Sequence, residues 1–206
     1  LSDAELLELD LLSDQLKRMR GMLFGYSERF FDTIRNWAFL SIGLLALQVG
    51  GILPGVGTIL VFIVPFAFLE TGYLFWYTVF ARRHAERLEM AINERFGRDL
   101  LVAHRLEAAY FYPPDAPKIA ALSFGNPFGY MSIATVGYTL GALLLWVCGL
   151  ASLLDLVAGG GLPLAALALP VGLAWTAAIT LYLLWTFLRR PDERRFLAVL
   201  TSSYRR

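Results

Sequence analysis

TILVFIVPFAFLETGYLFWYTVF, residues 58–80, is a run of 23 residues holding one acid, Glu70, and no base. A helix that crosses a bilayer needs about 20 largely apolar residues, and this run meets that length. Residues 37–53, Trp37 to Leu53, form a second run just upstream, joined to the first by Pro54-Gly55-Val56-Gly57. Glycine and proline there predict a tight turn whose backbone reaches interfacial water.

The same arrangement returns later in the chain. Phe128 to Val157 and Pro163 to Leu188 are apolar runs joined across Ala158-Gly159-Gly160-Gly161-Leu162. The expected fold is therefore all-α and polytopic, with four transmembrane helices in two hairpins. Orientation follows from the 18 lysines and arginines. Five lie before the first run (Lys17 to Arg35), seven between the pairs (Arg82 to Lys118) and six after the last run (Arg189 to Arg206). Neither turn has any. By the positive-inside rule both termini and the middle segment are cytoplasmic, in a plasma membrane. Trp37, Trp76, Tyr77, Tyr130, Tyr182 and Trp185 are expected at the cytoplasmic ends of the spans, where aromatic rings settle at headgroup depth.

These boundaries divide the chain into an amphipathic helix (1–36), a first hairpin (37–81), a helical linker (82–127), a second hairpin (128–188) and a basic tail (189–206). In the first part Leu9, Leu12, Leu16, Met19, Leu23, Tyr26 and Phe30 alternate spacings of three and four, the pattern of a coiled-coil seam. Such a helix packs on its own molecule, lies on the membrane, or pairs with a neighbouring subunit. In the linker, Leu88, Ile92, Phe96 and Leu100 extend the second span, Gly97 bends or ends it, and a short helix is expected from Asp99 to Tyr110. The acidic, interrupted first thirty residues do not read as a signal peptide, so the first span is expected to serve as its own insertion signal.

The composition excludes several function classes. Charged residues make up 17% and apolar ones 57%, and the net charge is +1, with no basic domain for nucleic acid. Cys148 is the single cysteine, and His84 and His104 stand 20 residues apart, so neither a zinc site nor a disulfide is expected. Motifs for phosphate binding, metalloproteolysis or acyl transfer are absent. No enzyme, cofactor or metal is expected.

Glu70 is the residue that asks for a function. Counted along its run it is the thirteenth of 23, near the midplane, where an acid costs roughly 2.5–3.5 kcal/mol. It is expected to be neutral and hydrogen-bonded to Gln48, Thr71, Tyr73 or another polar group, ionised in a water-filled cavity, or paired with a base on another protein. Ser132, Thr135 and Thr139 share a face of the third span and would line a path or bond to Glu70. Gly137 and Gly141 form a GxxxG pattern suited to helix packing, and Pro65 and Pro170 would kink the second and fourth spans. Asp155 is expected at the outer interface.

The second and fourth spans end alike: Tyr73-Leu74-Phe75-Trp76 precedes Arg82-Arg83-His84-Ala85-Glu86-Arg87, and Tyr182-Leu183-Leu184-Trp185 precedes Arg189-Arg190-Pro191-Asp192-Glu193-Arg194. Duplication of one hairpin or convergence at membrane boundaries explains this. The sequence leads first to an oligomeric, channel-like protein passing cations or protons near Glu70. A non-catalytic accessory subunit of a larger membrane complex is the alternative, and a proton-coupled solute transporter is third. Expected partners are the lipid bilayer, further copies of the chain and other membrane subunits.

Overall fold

A computed structural model describes residues 3–110, 129–159 and 163–203, without the side chains of residues 4, 108, 110, 129–135 and 163–165. No strand occurs among them. The elements are α1 (Asp3–Val49), a 3-10 turn (Val56–Ile59), α2 (Leu60–Phe96), α3 (Ala103–Tyr110), α4 (Gly129–Ala158), α5 (Pro163–Arg189) and α6 (Pro191–Ser203). Four helices, α1, α2, α4 and α5, are long and apolar enough to cross a membrane. The Tyr112–Pro117 loop and Gly125-Asn126-Pro127 lie outside the described residues.

The amphipathic helix and first span are one element. α1 runs unbroken for 47 residues, about 70 Å at 1.5 Å per residue. It stops at Val49, four residues before the expected end, because Gly51 takes a left-handed φ of 71°. The last carbonyls are then closed by Gly50 N–H to Ala46 (2.9 Å) and Ile52 N–H to Leu47 (3.0 Å).

α2 lies antiparallel to α1 along nearly its whole length. Contacts step from Gln48 with Gly57, through Tyr26 with Tyr77 (ring centroids 5.0 Å), to Glu8 with Arg95. The seam of α1 is closed inside the chain: Leu9, Leu12, Leu16 and Met19 pack with Leu88, Ile92 and Leu101. α2 ends where Gly97 takes φ 62° and its N–H bonds to Glu94. α3 starts four residues later than expected because Leu100 and Leu101 are engaged by Asn93.

α5 runs parallel to α2 and presents one stripe to it, with Gly172, Ile179 and Thr186 buried. A Cβ on Gly172 would stand 2.7 Å from Val61 Cγ1. Fifteen residues on, Phe187 stacks with Trp76 at 5.4 Å. α4 meets the 3-10 turn and the start of α2 through Gly149, whose added Cβ would stand 2.7 Å from that of Leu60 and 3.1 Å from Gly57 O. Both prolines lie inside unbroken helices, Pro65 in α2 and Pro170 in α5.

The tail expected after residue 189 contains a helix. Arg190 takes φ 46°, and Pro191 then opens α6 with Asp192 and Glu193 in its first turn. That order follows the ordinary helix start, a proline at the first position and acids facing the dipole. Phe196 packs on Phe80 at 4.9 Å, and Glu193 and Leu200 are buried.

Candidate functional site

Glu70 has a partner that the sequence reading did not assign. The indole N–H of Trp37 donates to its carboxylate at 2.7 Å, bridging α1 and α2. The Trp37 ring also meets Phe66 edge-on, with centroids 5.9 Å apart. The bond fixes one level for two residues that counting along separate runs had put at different depths. Gly57 to Glu70 spans about 21 Å of helix, and Ser152, beside Gly57, lies about 6 Å short of Leu156 at the turn end. Glu70 is thus about 27 Å from the turn end, close to the full thickness of a hydrocarbon core of about 30 Å. On α1 the neighbouring turn carries Arg35 and Asp32, an exposed ion pair at 2.9 Å. A base therefore stands within two residues of Trp37, where run-counting had left none near Glu70.

Gln48, Thr71 and Tyr73, the expected partners of Glu70, bond elsewhere. Gln48 lies at the other end of the α1–α2 pair. Its Nε2 donates to Ser152 Oγ at 2.5 Å, and its Oε1 accepts the Gly57 N–H at 2.7 Å. Ser152 donates onward to Cys148 O at 2.9 Å. This pins α1, the 3-10 turn and α4 together, and leaves no room for a side chain at Gly57. Thr71 bonds back to Ala67 O within α2, and exposed Tyr73 donates to Tyr77 Oη at 2.8 Å. Thr139 is half-buried, and the Ser132 and Thr135 side chains lie outside the described residues. A Cβ on Gly137 or Gly141 would meet nothing within 4 Å, so the close approaches within the chain are made by Gly57, Gly149 and Gly172.

The densest polar arrangement lies at the opposite end from the turns, here the basic end. Glu89 on α2 is 1% exposed and gathers groups from two other helices. Arg20 of α1 binds both Glu89 and Glu107. The backbone N–H of His104 donates to Glu89 at 3.0 Å, and its Nδ1 lies 3.0 Å from the same oxygen. Glu107 also faces Arg82 at 3.2 Å. Glu89 acts as an N-terminal anion for α3, satisfying a free amide and opposing the helix dipole. Burial works to raise its pKa, but the bonds from Arg20 and from the backbone and ring of His104 together hold it below the usual range. Four residues on, Asn93 accepts from Leu100 (3.0 Å) and Leu101 (2.9 Å) and donates to Leu101 O (2.8 Å). Nearby, burial lowers the pKa of His84, whose Nε2 lies 3.3 Å from Gln15 Nε2.

The two similar exits meet in space. Arg83 pairs with Glu86 of its own motif at 3.3 Å and with Glu193 of the other at 3.5 Å, and Arg190 lies 4.0 Å from Glu193. α6 is thereby fixed across α2. His84 and His104 are both part of this polar packing.

Sequence reasoning missed Trp37 as the partner of Glu70 because an interfacial tryptophan reads first as an anchor. It missed Glu89 and Asn93 because polar residues beside a seam read as its solvated flank. A usable signal existed for both: they lie one residue after the seam positions Leu88 and Ile92, on the edge where a third helix packs. Among the described residues no group of His, Cys, Asp and Glu is placed to hold a metal ion. No family model matches this chain, and neither a curated protein nor a solved structure matches it significantly.

Proposed function

We propose that this protein is a non-catalytic assembly subunit of a larger membrane complex. Two membrane hairpins anchor it, with both ends and the middle segment in the cytoplasm, and the α1–α2 pair stands out as a stalk. The observation that carries this reading is the Trp37–Glu70 bond. A pore needs its deep carboxylate facing a path, whereas this one is used to join α1 to α2 near the cytoplasmic edge of the span. The chain instead invests its buried charges in fastening α3 and α6 to the stalk. Confinement of every base to one end supports the orientation.

Native mass spectrometry of the protein gently extracted from its own membrane tests this. A fixed stoichiometry with other chains, and no cation flux from the purified protein in liposomes, is the expected result. A homo-oligomer that conducts cations and loses selectivity in Glu70→Gln would overturn it. That second reading, an oligomeric pore for cations or protons, is favoured by one observation. Among the described residues nothing meets a Cβ on Gly137 or Gly141 of α4, as a helix seam between copies would require.

A further inference from the structure

Exposed leucines among the described residues differ in what can cover them, and Leu100 and Leu106 near α3 are exposed as well. Those on α4 and α5 lie in apolar spans, where lipid covers them. Leu6, Leu7 and Leu11 do not. They are 48%, 63% and 63% exposed, and Leu11 and Leu7 stand about 57 and 63 Å along α1 from Val49. A hydrocarbon core of about 30 Å, or a leaflet-to-leaflet thickness of about 45 Å, ends well short of them. Nor can this part of α1 lie down on the membrane, because α1 is unbroken and its first turns are bonded to the end of α2 through Glu8 and Arg95.

Helical spacing sets Leu7 and Leu11 on the side of α1 opposite the Leu9–Leu12–Leu16 seam. Exposed Asp3, Asp10 and Asp14 share that side, Asp14 in an exposed ion pair with Lys17 at 3.1 Å. Residues 3–14 hold five of the 17 acids and none of the 18 bases, in a chain whose net charge is +1. The tip of the stalk is thus an apolar strip with an acidic border, in water.

We infer that this face of α1 docks an amphipathic helix of a partner protein, with leucine-like residues at i and i+4 bordered by lysine or arginine. The inference deepens the assembly reading and rests on it. Apolar contact supplies the affinity, and the acidic border selects for a basic partner and speeds encounter. A second copy of this chain is a poor occupant, because a two-fold pairing of this face would set its aspartates against their own kind.

The test uses the full chain in phosphatidylcholine nanodiscs and two fluorescent helical peptides. One carries leucines at i and i+4 flanked by lysine and arginine, and its twin carries glutamate at the flanking positions. Anisotropy is expected to show binding of the basic peptide and at least tenfold weaker binding of the twin. Raising salt from about 50 to about 500 mM should weaken the basic peptide several-fold, as screening of exposed charges requires. Leu7→Ser with Leu11→Ser should cost at least tenfold, and Asp3→Asn with Asp10→Asn several-fold, with the helical circular dichroism unchanged. Equal binding of both peptides, failure of the basic peptide to bind, or indifference to the leucine substitutions would overturn the inference. So would a cross-link between copies at Leu7→Cys. A heteromeric complex without peptide binding removes this face and leaves the assembly reading. Peptide binding by a chain that native mass spectrometry finds only with itself does the reverse.

Discussion

The two halves of α2 are packed by opposite means. From Gly57 to about Gly72 its neighbours approach through missing side chains: Gly149 of α4, Gly172 of α5 and Gly57 itself. From Val79 to Asn93 it is buried instead among large apolar residues and charges, with Arg82, Arg83 and Glu89 all under 10% exposed. In lipid there is no gain from hiding one alkyl surface against another, so helices associate by close van der Waals contact, which glycine permits. In water the apolar seam supplies the drive, and buried charges are tolerated only when each is bonded. On the proposed topology, the changeover along one helix falls where its surroundings change.

The sharpest way to break that comparison is to remove one member of the charged half. Glu89→Ala leaves Arg20 without its partner and the start of α3 without its acceptor. Stripping one partner from a buried ion pair costs about 3–5 kcal/mol. Hydrogen exchange should show α3 and the adjoining turns of α1 and α2 losing protection, with the spans unaffected; equal protection in the variant would mean that the network is ornamental. The same residue sets a pH dependence. Because its folded pKa is depressed, its contribution is complete above the unfolded value and is lost as pH falls through the ordinary carboxylate range to the lowered one. Glu89→Gln should flatten that acid limb.

In the glycine half the informative variants are a matched pair. Gly149→Ala puts a Cβ 2.7 Å from that of Leu60, with backbone atoms of Gly57 and Val61 at 3.1 Å. Overpacking of this kind costs about 1–3 kcal/mol. Gly141→Ala meets nothing within 4 Å among the described residues and gains about 0.5–1 kcal/mol of helix propensity. Unfolding in mixed detergent micelles should separate the two. If Gly141→Ala instead weakens a homo-oligomer, that side of α4 is a subunit seam and the pore reading advances.

How much of this was legible in the sequence follows from the same division. Four membrane-length helices could be read because about 20 apolar residues in a row have few other uses. The seam of α1 was equally plain, but period alone does not say which surface it meets; α2 supplies that surface only because Gly51 and Gly55 turn the chain back on itself. α6 was overlooked because its charges masked a short periodic pattern of Phe196 and Leu200, although Pro191-Asp192-Glu193 announced a helix start. The partner of Glu70 was out of reach for another reason. Depth was counted along each run separately, and the runs do not begin at one level. Gly57 and Ser152 are side by side, while α4 continues about 6 Å beyond Ser152 to Leu156 at the turn end.

The smallest expected effect decides what Glu70 is for. Trp37→Phe keeps the ring contact with Phe66 and removes the N–H, which should cost roughly 0.6 to 1.7 kcal/mol, the range of interhelical bonds in membranes. Glu70→Leu should cost a similar amount. Glu70→Gln should cost less, since its amide oxygen still accepts from the indole. The double variant W37F/E70L should then be no less stable than the worse single one, because either change already breaks the same bond. Strict additivity would mean that the two side chains act independently, and the carboxylate would again need a role beyond holding α1 to α2. Non-additivity together with unchanged flux in Glu70→Gln leaves a carboxylate whose work is finished inside the chain. The protein's contacts with others must then come from its surfaces, and the Leu7–Leu11 face of α1 is the candidate among them.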